Sequence, residues 1–256
     1  MYTNDQIIKI AMHQSALDLN ARTEDFVSDE NVIVQSKLGP LAKKYYKEPI
    51  AVNFVTYGSN IVASVIDEFR DVVEEYINKF HFYHCFETPN MHWLDERVGR
   101  EGYKICFMAE YFLPDVNKLK RIDCGYELKV LQHEDFEQLY LPCWSNALCE
   151  DRKELDVLGV GAYDNGELIG LAGCSADCDG MWQIGVDVLP EYRRQGIATS
   201  LTSNLAVEIL ERNKVPFYCC AWSNIRSARN AIRAGFMPAW AEMTVKPKQM
   251  IRDMNK

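Results

Sequence analysis

The 256-residue sequence has no apolar run that approaches the roughly 18 residues a membrane helix needs. Its first residues, MYTNDQIIKIAMHQ, lack the continuous hydrophobic region of a signal peptide. The nine cysteines are an odd number scattered between Cys85 and Cys220, which is typical of reduced core thiols and not of a disulfide framework. These absences predict a cytoplasmic protein that makes no membrane contact.

Basic residues are in deficit, with 28 Lys and Arg against 37 Asp and Glu, a formal net charge of −9. This balance argues against nucleic acid as a partner, because nucleic acids select basic surfaces. A negative field raises the local concentration of cationic substrates such as amines, although acidity for solubility is the simpler explanation.

Patterns typical of metal ligands are also missing. Cys174 and Cys178 have no second ligand pair, and His81, His84, Cys85 and His92 follow no recognised spacing. We therefore expect no metal ion.

The composition, 48% hydrophobic and 25% charged, is that of a globular protein with a sizeable core. The segment PDVNKLKRID (114–123) interrupts the apolar pattern with a proline and a basic cluster. It predicts a boundary between an N-terminal α/β domain over 1–122 and a second domain over 123–256.

The N-terminal part shows alternating helix and strand patterns. Residues 5–19 have a loose amphipathic spacing, and 67–80 have apolar residues at intervals of three and four. The β-rich stretch 51–65 is broken by Gly58-Ser59-Asn60, which predicts a hairpin or a sharp strand break. The short apolar run 103–113 predicts a buried strand, so the first part is a small α/β domain.

The second part begins with a predicted strand over 126–131 and a helix over 133–148. A β-hairpin follows over 157–176, where Asp164-Asn165-Gly166 suits a tight turn. In 181–190 the side chains alternate between two faces, and Pro190 ends the strand. From Ile197 onward, apolar residues recur every four positions and predict a helix packed on the sheet.

The stretch PEYRRQGIATSLT (190–202) is therefore a strand–loop–helix junction. The first turn of a helix has amide N–H groups without intrahelical partners, and they lie at the positive end of the dipole. Gly196 and Ala198 carry little side chain, so an anion can approach the backbone, and Arg193 and Arg194 add positive charge. This junction predicts a phosphate site.

A second junction follows, with a predicted buried strand over 215–222 and a short helix over 223–236. Ser223 or Asn224 would cap this helix, and Gly235 would end it. Over 123–246 the chain resembles the GCN5-related N-acetyltransferase superfamily. The matching motifs are V-x-P-x-x-R-x-x-G-x-A, from Val188 to Ala198, and N-x-x-S…G-F, formed by Asn224, Ser227, Gly235 and Phe236.

The resemblance implies a mixed, splayed β-sheet with helices on both faces and acetyl-CoA as the acyl donor. It implies that 194–199 cradle the pyrophosphate, that Asn224 touches the pantetheine arm, and that 186–188 pair with the pantetheine amides. A free N–H of that strand would polarise the thioester carbonyl. The implied cofactor-binding residues are Val186, Asp187, Val188, Arg193, Arg194, Gln195, Gly196, Ile197, Ala198, Thr199, Asn224 and Ser227.

Two positions depart from the family pattern. Trp182 stands where many members carry a carboxylate base, and Ala231 stands where many carry a tyrosine acid. Tyr218 and Tyr192 are candidate replacements for the acid, and Asp177, Asp179 and Glu150 for the base. Cys219 or Cys220 would offer a covalent step, with at most one facing the site. The catalytic residues stay unassigned by the sequence.

We expect an N-acetyltransferase that moves an acetyl group from acetyl-CoA directly to a primary amine of a small molecule or a peptide. The alternative is a non-catalytic acyl-CoA-binding module, which Trp182 and Ala231 would explain. Residues 1–122 would be either a degenerate second acetyltransferase-like fold or an unrelated cap that shapes the acceptor pocket. A homodimer is one of the oligomeric states compatible with the sequence.

Overall fold

A computed structural model describes residues 2–256, with ten strands and six α-helices among them. The strands are β1 (Val32–Gln35), β2 (Val52–Thr56), β3 (Val62–Val65), β4 (Tyr103–Pro114), β5 (Glu127–Gln132), β6 (Asp156–Asp164), β7 (Glu167–Ser175), β8 (Met181–Val188), β9 (Val215–Ala221) and β10 (Phe236–Pro247). The helices are α1 (Asn4–Leu19), α2 (Arg70–Lys79), α3 (Thr88–Val98), α4 (Ile197–Glu211), α5 (Ile225–Arg233) and α6 (Lys248–Met254).

The described chain divides into two compact units, one of residues 2–10 with Tyr111–Pro238 and one of Ala11–Glu110 with Ala239–Lys256. These units differ from the consecutive halves 1–122 and 123–256 that the sequence predicts. The end of the chain belongs with the N-terminal residues because β10 pairs with β2, for example Met243 with Phe54. Such pairing joins residues far apart in sequence, which no local pattern reports.

In the unit of Ala11–Glu110 and Ala239–Lys256, four strands follow the order β1-β3-β2-β10. β1 is parallel to β3, whereas β2 is antiparallel to both β3 and β10. The β2–β3 hairpin turns at the predicted Gly58-Ser59-Asn60 break. Its core brings side chains of the strands against α2 and α3, including Phe54, Val73, Tyr76, Leu94 and Met243.

In the unit of residues 2–10 and Tyr111–Pro238, five strands follow the order β9-β8-β7-β6-β5. Neighbours are antiparallel except β8 and β9, which are parallel, so the sheet is mixed. α4 packs on the sheet through the predicted stripe of Ile197, Leu201, Leu205 and Ile209, all buried. A second cluster around Phe136, Trp144 and Leu171 completes the core. The mixed α/β fold is confirmed.

The predicted helix over 133–148 is wrong. The segment forms two short 3-10 turns, His133–Phe136 and Pro142–Trp144, separated by irregular chain. Leu141 is extended, with φ −119° and ψ 153°, because a residue before proline is disfavoured in the helical region. Pro142 also lacks the N–H that a continuous helix would use.

None of the helices within residues 2–256 combines the length and the apolar character that crossing a membrane requires. Of the nine cysteines, Cys85, Cys174, Cys178 and Cys220 are buried.

Candidate active site

β8 and β9 are paired over only half of β8. Their register runs from Met181 opposite Val215 to Ile184 opposite Tyr218. The rest of β8, residues 185–188, pairs with β7 on its other side, with Gly185 opposite Gly173. Backbone groups of 185–188 that face β9 are therefore open to a ligand, as the predicted splay requires. Val186, Asp187 and Val188 lie on this open stretch.

A cavity of about 670 Å³ opens between the diverging strands, and we call it the splay cavity. Strand β8 lines one side, the end of β9 a second side, and the first turn of α5 a third. Residues of its lining include Asn146, Gln183, Gly185, Val186, Asp187, Val188, Ala198, Tyr218, Cys219, Asn224 and Ser227.

The start of α4 forms the wall of a second cavity of about 360 Å³, the anion cavity. Arg194 and Gly196 have positive φ, 67° and 84°, which turns the chain sharply into the helix. No side chain caps the helix at Gly196, and a Cβ there would meet no atom within 4 Å. The first amide N–H groups of α4 therefore point toward open space, an arrangement that attracts anions.

The remaining predicted residues of this loop have structural partners. Arg193 Nε donates to the Val188 carbonyl oxygen at 2.9 Å, and Tyr126 donates to Gln195 Oε1 at 2.9 Å. Ile197 buries its side chain in the core, so only its backbone can face a ligand. Thr199 Oγ1 donates to Asn230 Oδ1 at 3.0 Å, which ties α4 to α5.

Five arginines line the anion cavity, and three of them are not among the residues that the sequence predicts for the site. They are Arg193, Arg194, Arg226, Arg229 and Arg233. Within the described residues, none of the five forms an ion pair with a carboxylate, although other arginines of the chain do. The three on α5 recur at intervals of three and four, a helical spacing that was visible in SNIRSARNAIRAGF. The cavity is strongly positive in a protein of net charge −9.

Asn224 caps α5 as predicted, because its side-chain oxygen accepts from the Ser227 amide at 3.2 Å. The hydroxyl of Ser227 lies 2.7 Å from the hydroxyl of Tyr218. Burial raises the pKa of Tyr218, and its hydrogen bonds with Ser227 and Asn230 offset part of that rise. Tyr218 therefore holds a proton at the wall of the splay cavity across the neutral pH range.

The opposite face of β8 supports a loop. Both carboxylate oxygens of Asp187 are used, accepting from Asn146 N at 2.8 Å, Asn146 Nδ2 at 2.7 Å and Ala147 N at 3.0 Å. The loop lies so close that a Cβ on Gly185 would overlap the Asn146 carbonyl oxygen, and one on Gly173 would overlap that of Ala147. The side chain of Asp187 thus holds the loop at the wall of the splay cavity, which both Asp187 and Asn146 line.

The candidate bases and nucleophiles are arranged less favourably for catalysis than Tyr218 is. Trp182 packs against the core, so the strand carries no carboxylate at that position. Asp177 accepts from Ser175 Oγ at 2.7 Å and from Arg152 Nη1 at 3.1 Å, near the start of β8 and away from 185–188. Cys219 Sγ accepts from Gln183 Nε2 at 3.3 Å on the loop-bearing face.

The described residues contain no group of three or more His, Cys, Asp or Glu positioned to hold a metal ion.

Tyr192 is the second candidate acid. Its hydroxyl donates to Asp164 Oδ2 at 3.1 Å, which directs it away from the splay cavity.

A family model described as GNAT acetyltransferase matches residues 68–239, more than half of the chain. The chain belongs to the GNAT acetyltransferase family. The match begins well before residue 123, so it reaches beyond the stretch that carries the two GNAT motifs. The suggestion that residues 1–122 form a degenerate second GNAT fold stays a prediction.

Solved structures similar to the chain include a GCN5-related N-acetyltransferase-like protein from Streptococcus suis 89/1591, at 18% identity and a TM-score of 0.44 over 59% of this chain and 65% of that one. A GCN5-related N-acetyltransferase from Kribbella flavida is 18% identical, with a TM-score of 0.45 over 62% and 64%. A GNAT acetyltransferase from Colwellia psychrerythraea is 13% identical, with a TM-score of 0.44 over 80% and 84%. The chain thus spans just under two thirds of the first two. No curated protein matches the chain.

Proposed function

We propose that this protein transfers an acetyl group from acetyl-CoA to a primary amine of a small molecule or a peptide. One observation carries the proposal: an uncapped helix start, surrounded by five arginines without carboxylate partners, adjoins the gap between β8 and β9. A pyrophosphate fits the first feature, and an extended amide-containing chain fits the second. Acetyl-CoA combines both groups in one molecule.

The pyrophosphate would lie against residues 194–199. The backbone N–H groups of Ile197, Ala198 and Thr199 would donate to it, and the positive end of the α4 dipole would stabilise its charge. The absence of a Cβ at Gly196 supports this fit, because the phosphate oxygens can reach the backbone without steric conflict.

The pantetheine arm would run along the open edge of β8, with backbone groups of 186–188 pairing with its amides. The side-chain oxygen of Asn224 is taken up by the cap of α5, so its amide nitrogen would be the group that donates to the arm. An N–H of the β8 edge aimed at the thioester oxygen would stabilise the negative charge that develops there during attack.

We assign the proton that the departing sulfur needs to Tyr218. The amine nitrogen attacks the thioester carbon, the C–S bond breaks, and the thiolate takes the Tyr218 hydroxyl proton while the C–N bond is retained. The tyrosinate then regains a proton from solvent. Burial keeps Tyr218 protonated when the sulfur leaves. Its pKa lies above the roughly 8.5 of a thiol, so the transfer is completed by the return of a proton from solvent to the tyrosinate. Asp187 is the one carboxylate in the described lining and is committed to the loop, so we assign the amine's proton to water.

The rival hypothesis is a module that binds acyl-CoA without turnover, suggested by Trp182 and Ala231. An assay of free CoA thiol distinguishes the two hypotheses. The protein is given acetyl-CoA and a panel of polyamines, aminoglycosides, amino acids and peptides, and thiol release is compared with that of an amine-free blank. We expect acceptor-dependent thiol release with at least one class. Binding of acetyl-CoA without any acceptor-dependent release would favour the rival. We place the activity in the cytoplasm, where nine thiols stay reduced.

A further inference from the structure

One face of α5 carries more positive charge than a pyrophosphate needs. Arg226, Arg229 and Arg233 lie on that face and line the anion cavity together with Arg193 and Arg194. The α5 sequence, IRSARNAIR, contains no acidic residue that could neutralise them. Three guanidinium groups on one helix repel one another unless an anion lies between them.

The charges exceed those of a pyrophosphate alone. A pyrophosphate diester carries about two negative charges, and Arg193, Arg194 and the roughly +0.5 charge of the α4 N-terminus already balance them. The three arginines of α5 remain. A phosphomonoester carries a further 1.5 to 2 negative charges near neutral pH and offers three strong acceptor oxygens to planar guanidinium groups.

The arginine face has a fixed position relative to the start of α4. Asn230, which lies on the same helix between Arg229 and Arg233, accepts from Thr199 Oγ1 and donates to Thr202 Oγ1, each at 3.0 Å. Two hydrogen bonds from one side chain thus join the two helices. These bonds fix the helix backbone that carries the three exposed arginine side chains beside the start of α4.

We infer that Arg226, Arg229 and Arg233 form a subsite for a phosphomonoester, the 3′-phosphate of acetyl-CoA, separate from the pyrophosphate site at 194–199. The inference rests on the proposed function. The protein would therefore distinguish acetyl-CoA from acetyl-3′-dephospho-CoA, two donors with the same pyrophosphate and the same thioester.

The test is calorimetric titration of the full chain with both donors. In the wild type we expect acetyl-CoA to bind at least about tenfold more tightly, because hydrogen bonds between guanidinium groups and a phosphate are charge-assisted and strong. In the double variant Arg229→Gln/Arg233→Gln, this ratio should fall toward one. Circular dichroism and thermal unfolding would show that the variant is folded.

Arg70→Gln, on α2, is the matched control, because it removes an exposed arginine outside the anion cavity and should keep the wild-type ratio. Equal affinity of the wild type for both donors would overturn the subsite and leave acetyl-CoA binding intact. An unchanged ratio in the folded double variant would also overturn it. Failure of the wild type to bind either donor would instead contradict the proposed function itself, and the subsite with it.

Discussion

The Tyr218 hydroxyl lies 2.7 Å from the Ser227 hydroxyl, which joins the end of β9 to the first turn of α5 at the wall of the splay cavity. The tyrosine comes from the strand, whereas many GNAT members carry it on the helix at the position of Ala231. Ala231 itself is fully buried in the core. A phenol can thus reach the cavity although the family position has lost its hydroxyl.

The first prediction concerns Tyr218→Phe. We expect kcat near pH 7 to fall by about 10²-fold, the lower end of what a general acid contributes. The deficit should shrink as pH rises above about 8.5, because a thiolate is then a stable leaving group without a proton. Steady-state kinetics between pH 6.5 and 9.5 measures this deficit in kcat. Tyr163→Phe, outside both cavities, is the control. A deficit that does not vary with pH would indicate a structural role for Tyr218.

The second prediction concerns Gly196→Glu. The new carboxylate would lie at the start of α4, where the pyrophosphate is proposed to bind, and we expect acetyl-CoA affinity to fall at least about tenfold through charge repulsion. Gly102→Glu is the matched control, since Gly102 has φ 85° and Gly196 has φ 84°, and neither has an atom within 4 Å of a built Cβ. Calorimetry compares the two. Equal affinities in both folded variants would exclude the helix start as the phosphate site.

The third prediction concerns the loop over β8. In Gly185→Ala the new methyl group would displace the Asn146 carbonyl, and such overpacking costs about 1–3 kcal/mol of unfolding free energy. Gly180→Ala should change stability by less than about 0.5 kcal/mol, because its Cβ would lie 3.7 Å from Ile10 Cγ2. Urea unfolding gives both values. Similar stabilities of the two variants would mean that the loop moves to accommodate the methyl group without a measurable loss of unfolding free energy.

The fourth prediction concerns Asp156, which is buried and accepts from the Cys149 amide at 2.9 Å. Burial raises its pKa to about 6, partly offset by hydrogen bonds from Cys149 and Tyr140. Between its unfolded pKa of about 3.9 and this value, the folded protein binds more protons than the unfolded chain. The contribution of Asp156 to the free energy of unfolding therefore increases as pH falls through 6.

Relative to Asp156→Asn, the wild type should gain about 2 kcal/mol of unfolding free energy from pH 7 to pH 4. Urea titrations of both proteins across this range measure the difference. Glu134→Gln, which removes an exposed carboxylate of the same charge, serves as the control. A constant difference between wild type and Asp156→Asn would mean that the carboxyl keeps an ordinary pKa when folded.

Parts of the fold and site follow from short-range signals in the sequence. The β2–β3 hairpin is predicted by Gly58-Ser59-Asn60, and the buried stripe of α4 by apolar residues every four positions. The phosphate junction is predicted because a strand end, a small-residue turn and a helix start lie within a few residues of one another. The helix over 133–148 fails for an equally local reason, since Pro142 has stronger conformational constraints than the apolar spacing suggests.

The side chains that meet at the two cavities come together through the tertiary structure. The helical spacing of Arg226, Arg229 and Arg233 is visible in the sequence, but that they face the start of α4 depends on the hydrogen bonds of Asn230 with Thr199 and Thr202. Likewise, the place of Asp187 on β8 predicts that its backbone pairs with the cofactor, which stays a prediction, but its carboxylate binding to a loop 41 residues earlier in the chain is seen only in the structure.

The family motifs, the strand and helix that carry each of them, and the small-residue junction at 190–202 can all be read from the sequence. These depend on capping, positive φ and periodicity, which act over a few neighbouring residues. The pairing of β10 with β2, the five arginines around one cavity and the contact of Tyr218 with Ser227 are visible only in the folded chain. Those relationships depend on strand pairing and packing between distant segments, whose energies come from contacts that a linear pattern does not contain.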